Sequence, residues 1–472
     1  MSEQTLSKRS QQNLPAGASF EKLIQVLSDS YGDNNPEGIV SLGVAENGLM
    51  HEELAAYFNK LEFKSSFLTY GDGPFGSRAL RSALSSFFND YFNPVQKVLP
   101  KQLLVAGGVT SVIDLVTVGV ADEGDGILIG RPLYTSFKND VYARAGAKMV
   151  PVSAEGKDPM SEEMVAQYEK ELQKQEKQGT KIRAVILSSP HNPLGKCYPI
   201  DALKAYMRFC QKYRLHLISD EVYAMSTYKT PSNASAVAFT SVLAIDTTNL
   251  IDANLVHILY GMSKDFSSNG LRGGILLSQH NPPLLSSLKS IALFSWPAST
   301  TENYWTALLT DRPFLDYYFA ENSRRLAAGY ARLTSFFTAH GIGWVEGSNA
   351  GFFLWADFRG LLGADIGVVG DDDDAGAKEE GGEQMVEAVA VNEKPAQGQV
   401  YKTSRRAKDR DDWFFGKLMA AKVYVATGDA FFAEEHGWYR VSFSVPERIL
   451  KVGLERLGRV LEEVKKESGG AR

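Results

Sequence analysis

An α/β fold is what this sequence predicts, with a large domain on a mostly parallel sheet carrying helices on both faces and a smaller α+β domain toward the C-terminus. Three observations carry the expectation. Between residues 101 and 277 short apolar runs alternate with longer amphipathic stretches, the pattern of βαβ units feeding a parallel sheet. Beyond Pro313 the pattern changes to one long helical stretch followed by separated apolar runs. A chain of 472 residues also exceeds what one hydrophobic core accommodates, so two or more packed units are required.

Taken in order, residues 1–60 hold too little to pack alone and are expected to form an N-terminal arm that joins the small domain. Residues 61–312 form the large domain and 313–472 the small one. Strands are expected at 102–106, 127–130, 182–188, 215–219 and 255–260, each apolar and each followed by polar or glycine-containing residues. Helices are expected at 110–120, 161–178 and 201–213 between them. The small domain should contain a helix over 315–340, apolar runs at 351–356 and 439–444, and a final amphipathic helix from Pro446 onward. The stretch 370–412, with its acidic run at 371–374 and Tyr401 as its sole aromatic, buries too little apolar surface to order itself. It is expected to be a disordered surface insertion, with a regulatory or partner-binding role for Arg405 and Arg406 as the alternative.

Composition narrows the function classes. Hydrophobic residues at 44% and charged residues at 22% are ordinary for a soluble globular protein. A formal charge of -6, with both signs mixed along the chain, offers no footprint for nucleic acid. Two cysteines, Cys197 and Cys210, are too few for a disulfide framework and suit a reducing compartment. The first fifteen residues lack the apolar segment of a secretory signal, and no apolar run reaches membrane-spanning length, so a cytoplasmic location without membrane attachment is expected. Neither His191 nor any other histidine shows metal-ligand spacing, so no metal is expected.

The chemistry-bearing residues gather at the carboxyl ends of expected strands, where open α/β sheets build their ligand sites. Asn192 follows one strand, Asp220 and Tyr223 end the next, and Lys264 follows a third. Singly, Asp220 could cap a helix and Asn192 could belong to a turn with Pro193. Together they match by type what a pyridine-aldehyde cofactor needs: a lysine for the imine, a carboxylate for the ring nitrogen and donors for the ring oxygen. The segment Val105-Ala-Gly-Gly-Val-Thr-Ser111 adds a strand, two glycines and a helix opening, which suits a phosphate.

Several segments extend the pattern along nearly the whole chain. They are Ser41-Leu-Gly-Val-Ala-Glu-Asn47, Tyr70-Gly-Asp-Gly-Pro-Phe-Gly76, Ala106-Gly-Gly-Val-Thr110, Pro132-Leu-Tyr-Thr-Ser-Phe137, Pro190-His-Asn-Pro-Leu-Gly195, Ser219-Asp-Glu-Val-Tyr223, Ser263-Lys-Asp-Phe266 with Gly270-Leu-Arg272, and Tyr439-Arg-Val-Ser-Phe443. In these the chain resembles the fold-type I pyridoxal-phosphate (PLP) enzymes of the aminotransferase class I/II family, and within it the 1-aminocyclopropane-1-carboxylate (ACC) synthase-like branch.

The resemblance implies the PLP-dependent transferase-like fold, with the large domain binding pyridoxal 5'-phosphate and an amino acid as substrate. It implies that Lys264 carries the cofactor and, once freed, shuttles the substrate α-proton, with Ser263 beside it. Asp220, Tyr223 and Asn192 would hold the ring, Tyr134 would stack on it, and Arg272 with Gly108, Val109 and Thr110 would hold the phosphate. Arg440 would grip the substrate α-carboxylate, with Asn192 and Glu46 at the substrate. Tyr70 would reach the cofactor phosphate of a neighbouring subunit, which implies a homodimer with shared sites. Two positions depart from the family pattern: Gly261 replaces a phosphate-binding serine, and Pro74 stands where ACC synthases place an active-site tyrosine. The leading expectation is an aminotransferase. The alternatives are an ACC synthase-like or carbon–sulfur lyase activity, favoured by Glu46, and a non-catalytic homologue that binds the cofactor without turnover.

Overall fold

The structure, a computed structural model, describes residues 5–362 and 405–469. A first short strand, β1 (Val40–Ser41), precedes the seven that build the central sheet. These are β2 (Leu103–Ala106), β3 (Gly126–Gly130), β4 (Lys148–Val152), β5 (Ile182–Ser188), β6 (His216–Asp220), β7 (Val256–Gly261) and β8 (Gly274–Leu277). Their spatial order is β2-β8-β7-β6-β5-β3-β4, and β8 alone runs antiparallel to its neighbours.

Both faces of this sheet are covered, which is why its strands read as continuous apolar runs. Leu104, Ile129, Ile186, Ile218, Leu259 and Leu276 face one core with Val112 and Val116 of the helix Val109–Val120. Their strand neighbours Val105, Leu128, Val185, Leu217, Ile258 and Ile275 face the other, packed by helices Arg78–Tyr91, Met164–Lys177 and Ile200–Tyr213. The period-two alternation of a strand therefore divides one apolar run between two cores.

The second apolar core is built on β9 (Gly343–Trp344), β10 (Phe353–Asp357), β11 (Val423–Tyr424), β12 (Ala426–Thr427) and β13 (Trp438–Ser442). The order β12-β13-β10-β9 is antiparallel throughout, while β1 pairs in parallel with β11, Val40 opposite Val423. That pairing draws the N-terminal segment onto the C-terminal part of the chain. Helices Arg312–His340 and Glu447–Gly469 enclose this core. The first is capped at its start by Asp311, whose side chain accepts from the Phe314 amide, and ends at Gly341 with φ 70.

Observed boundaries lie close to the expected ones, with two omissions and one correction. Strand β4 was not anticipated because it starts on the exposed Lys148 and contains Pro151, a residue tolerated only where a strand edge is free. Strand β8 is a four-residue run that begins at Gly274, directly after Gly273. The correction concerns the stretch 370–412. Its part up to 404 lies outside the described residues, but from Arg405 the chain is helical, Arg405–Ala420, rather than disordered. The residues that stabilise this helix lie just beyond the low-complexity window. Phe414 and Leu418 enter the second core, and the buried Asp411 accepts the Tyr439 hydroxyl. Among the described residues no helix is long and apolar enough to cross a membrane.

At the end of the sheet opposite the candidate residues, His216 and His257 are joined through Nδ1 and Nε2 at 2.9 Å, and His257 Nδ1 meets the Ser278 hydroxyl at 3.0 Å. Burial depresses both pKa values, to about 4 and about 3. Only the unfolded chain takes up these protons, so their stabilising contribution is complete above the ordinary value of 6.5 and is lost as pH falls from there toward about 4. Substituting both by asparagine is expected to flatten the decline of the urea midpoint between those pH values, and an unchanged slope contradicts the assignment.

Candidate active site

Strand register assembles the site. Ser188 is paired with Asp220 and Asp220 with Leu259, so the carboxyl ends of β5, β6 and β7 lie level. The loops leaving those ends place Asn192, Tyr223 and Lys264 on one rim, with Asp220 at its base. Asp220 is 6% exposed, and its Oδ1 accepts from the Val222 amide at 3.4 Å. Burial raises its pKa to about 7, against the lowering effect of that amide and of Lys264.

Lys264 Nζ donates to the Ala45 carbonyl at 2.7 Å. Desolvation lowers its pKa to about 8, assisted by the positive charges of Arg440 and Arg272 and opposed by Glu46 and Asp220. Residues from four distant parts of the chain thus act on a single amine.

Arg440, carried on β13, is 4% exposed. Its Nη1 donates to Asn192 Oδ1 at 2.8 Å and its Nη2 to the Gly43 carbonyl at 2.7 Å. Its guanidinium lies over the rings of Phe353 and Phe431, 4.8 and 4.5 Å from their centroids. Its Nε is buried without a hydrogen-bond partner, and no carboxylate among the described residues forms an ion pair with it. A guanidinium buried against neutral acceptors suits an incoming carboxylate. Tyr223 is buried with its ring edge-to-face against Phe352 and Phe353, and Asp220, Arg440 and Tyr134 are its electrostatic neighbours. Tyr134 keeps an accessible ring, 37% exposed, set edge-to-face on Phe137.

An anion cradle adjoins this rim. The helix Val109–Val120 starts from Gly108 at φ 96 without a side-chain cap, which leaves its first amides available. A Cβ at Gly108 would stand 2.5 Å from Arg272 Nη2, so glycine is what lets the guanidinium approach the helix start. Arg272 Nη1 also donates to the Asn269 carbonyl at 2.8 Å. At Gly261 a Cβ would lie 2.7 Å from the Gly273 carbonyl and 2.8 Å from a Val109 methyl carbon. The close packing of β7 on β8 therefore leaves no room for the serine that the family pattern places there. Ser263 is half-buried beside Lys264.

Glu46 reaches the same cluster: its Oε1 accepts from the Asn269 amide, and its backbone carbonyl accepts from the Ser444 hydroxyl. Tyr70, by contrast, is 82% exposed and stacks on Trp296, at 5.2 Å between ring centroids, instead of joining the Lys264 cluster. Sequence reasoning missed Asn269 and Asp140. Asp140 is 6% exposed with Oδ2 lacking a hydrogen-bond partner, and burial followed by the charge of Asp220 raises it to about 7. The available signal was a lone acid between Phe137 and Val141, both buried on the same short helix.

Comparison with known proteins gives the family and the fold. Residues 38–457 match the family described as aminotransferase class I and II. The chain is 29% identical over 447 residues to 1-aminocyclopropane-1-carboxylate synthase 2 of Cucurbita pepo, covering 92% of this chain and 80% of that protein. It is 28% identical over 465 residues to the protein named "Probable aminotransferase sirI" of Leptosphaeria maculans, covering 98% and 99%. In fold it is similar to the Thermus thermophilus aspartate aminotransferase with maleate, with a TM-score of 0.67 and 19% identity over 96% of this chain and 99% of that one. The Pyrococcus horikoshii aromatic aminotransferase gives a TM-score of 0.67 and 20% identity over 90% and 96%. With residues 38–457 matched to the family model, the chain belongs to the aminotransferase class I and II family.

Proposed function

We propose that this chain is a pyridoxal 5'-phosphate-dependent aminotransferase that removes the α-proton of an amino acid and transfers its amino group, acting as a cytoplasmic homodimer. The observation that carries the reading is the convergence of the Lys264 amine, the Asp220 carboxylate and the Arg440 guanidinium on one buried rim.

The residues fit the cofactor. The uncapped helix start at Gly108, with Val109 and Thr110 amides and Arg272, suits a phosphate dianion, and the raised pKa of Asp220 marks a buried carboxylate lacking a cationic partner of the kind a pyridinium nitrogen supplies. Tyr223 and Asn192 would donate to the ring oxygen and Tyr134, with its ring partly exposed, would stack on the cofactor, with Ser263 beside Lys264. When bound, the cofactor supplies an electron sink for the pair released at the α-carbon. Arg440 takes the substrate α-carboxylate in its fork in exchange for Asn192 Oδ1 and the Gly43 carbonyl, which fixes the orientation of the α-carbon. Lys264, with its pKa lowered to about 8, gives up its proton far more readily than an ordinary lysine, and from about pH 8 upward it is a neutral amine able to accept the α-proton.

The exposed Tyr70, Leu68 and Phe294 support a subunit face in which Tyr70 serves the partner's phosphate site. Both cysteines are free and buried, in keeping with a reducing compartment. The division into segments 1–60, 61–312 and 313–472 is proposed on the same reading, with the rim and cradle in the large unit and Arg440 supplied by the small one. Elimination is the second reading. Glu46 favours it, because its carboxylate is held by Asn269 and raises the pKa of Lys264.

Three results test these statements. First, Lys264→Ala is expected to lower turnover by on the order of 10²–10⁴-fold or more with unchanged circular dichroism, and an unchanged rate refutes the role. Second, capture of added cofactor by the apoprotein requires the neutral amine, so its rate should rise with pH up to about 8 and then level. Arg440→Met should move that inflection upward, and a fixed inflection contradicts the electrostatic account. Third, incubation with amino donors and a 2-oxo acid acceptor should yield the exchanged pair. Thiol, ammonia and pyruvate from S-substituted cysteines, or ACC from S-adenosylmethionine, without amino transfer would replace the first reading by the second.

A further inference from the structure

Away from the rim, a second cluster brings two carboxylates and an imidazole together. Asp411 lies on the helix Arg405–Ala420, Asp429 on the 3₁₀ turn Gly428–Phe431, and His436 in the turn that leads into β13. One ligand atom from each lies within 4.8 Å of the others. Asp411 and His436 are buried, at 4% and 6% exposure, while Asp429 opens to solvent.

Tyr439 donates its hydroxyl to Asp411 Oδ1, which leaves Oδ2 facing His436 Nδ1 at 3.5 Å, and Asp429 Oδ1 faces the same nitrogen at 3.3 Å. Despite these separations His436 Nδ1 satisfies hydrogen-bond geometry with neither oxygen. An imidazole nitrogen turned toward two carboxylate oxygens is held there either by a proton on that nitrogen or by a metal ion between the three groups. A tetrahedral zinc with bonds of about 2.0–2.1 Å sets its ligand atoms about 3.3 Å apart, close to both measured separations. The Tyr439 hydroxyl supplies the outer contact that commonly orients a metal-binding carboxylate. Charges around the cluster are mixed, with Asp412 negative and Lys408 positive. A proton competes for the same nitrogen, since the two carboxylates raise the His436 pKa to about 9.

We propose that Asp411, Asp429 and His436 bind one divalent transition-metal ion, of which zinc best suits one imidazole and two carboxylates, with water completing the coordination. Sequence spacing carries no sign of this site because three separate segments supply its ligands. The ion would tie the helix Arg405–Ala420 to the turn entering β13, the strand that carries Arg440. Its effect is therefore to brace that strand, and it takes no part in the chemistry at Lys264.

Calorimetric titration of the chelator-treated, cofactor-loaded protein with zinc chloride tests the proposal. One zinc per chain is expected, with affinity weakened at least about tenfold in Asp429→Asn and in His436→Gln. Zinc should raise the melting temperature of the parent protein only. Asp429 is solvent-facing, so its variant decides the matter even where His436→Gln fails to fold. Absence of zinc binding by the parent overturns the proposal and leaves the three groups as a proton-held ion cluster. Equal zinc binding by parent and Asp429→Asn overturns it as well, by placing the uptake elsewhere.

Discussion

Desolvation of opposite charges at one sheet rim is the constraint on which the rest of the structure depends. Asp220 and Arg440 are buried and Lys264 is half-buried beside them, yet none is neutralised by a direct salt bridge to another. Burial pushes the lysine down and the aspartate up, to about 8 and about 7. The energetic penalty is tolerated because the sheet holds these groups rigidly: Asp220 is the last residue of β6, flanked on both sides by paired strands. The small antiparallel sheet holds Arg440 equally firmly, in register with Trp355 and Ala426. Such a site is poised for a ligand carrying the complementary charges.

The segment from Gly43 to Glu46 contacts both of those rigid parts. Its carbonyls accept from Arg440, Lys264, Ser442 and Ser444, and its glutamate accepts from Asn269. Both the Lys264 amine and the Arg440 guanidinium therefore rest on backbone oxygens. The segment follows directly on β1, whose parallel pairing with β11 forms a two-stranded sheet separate from the four-stranded one.

Much of this was legible in the sequence. Fully buried parallel strands leave unbroken apolar runs, so β3, β5, β6 and β7 were placed to within a residue or two, and with them the strand ends that carry the reactive side chains. The order and spacing of the motif segments then separated Lys264 from other lysines. Legibility failed where stabilisation comes from outside the local window. Strand β4 has an exposed start and a proline, and the helix from Arg405 depends on the second core and on Tyr439. Asp140, Asn269 and the Asp411–Asp429–His436 cluster acquire meaning only through partners distant in sequence.

The measurement that bears most directly on the account is borohydride reduction of the cofactor-loaded protein followed by proteolysis and mass analysis. The account predicts a single pyridoxyl-phosphate increment, located on the peptide containing Lys264. It also predicts that Asp220→Asn leaves the attachment in place while altering the absorbance of the bound group. An increment on any other lysine, or none at all, would contradict the central role given to the buried rim.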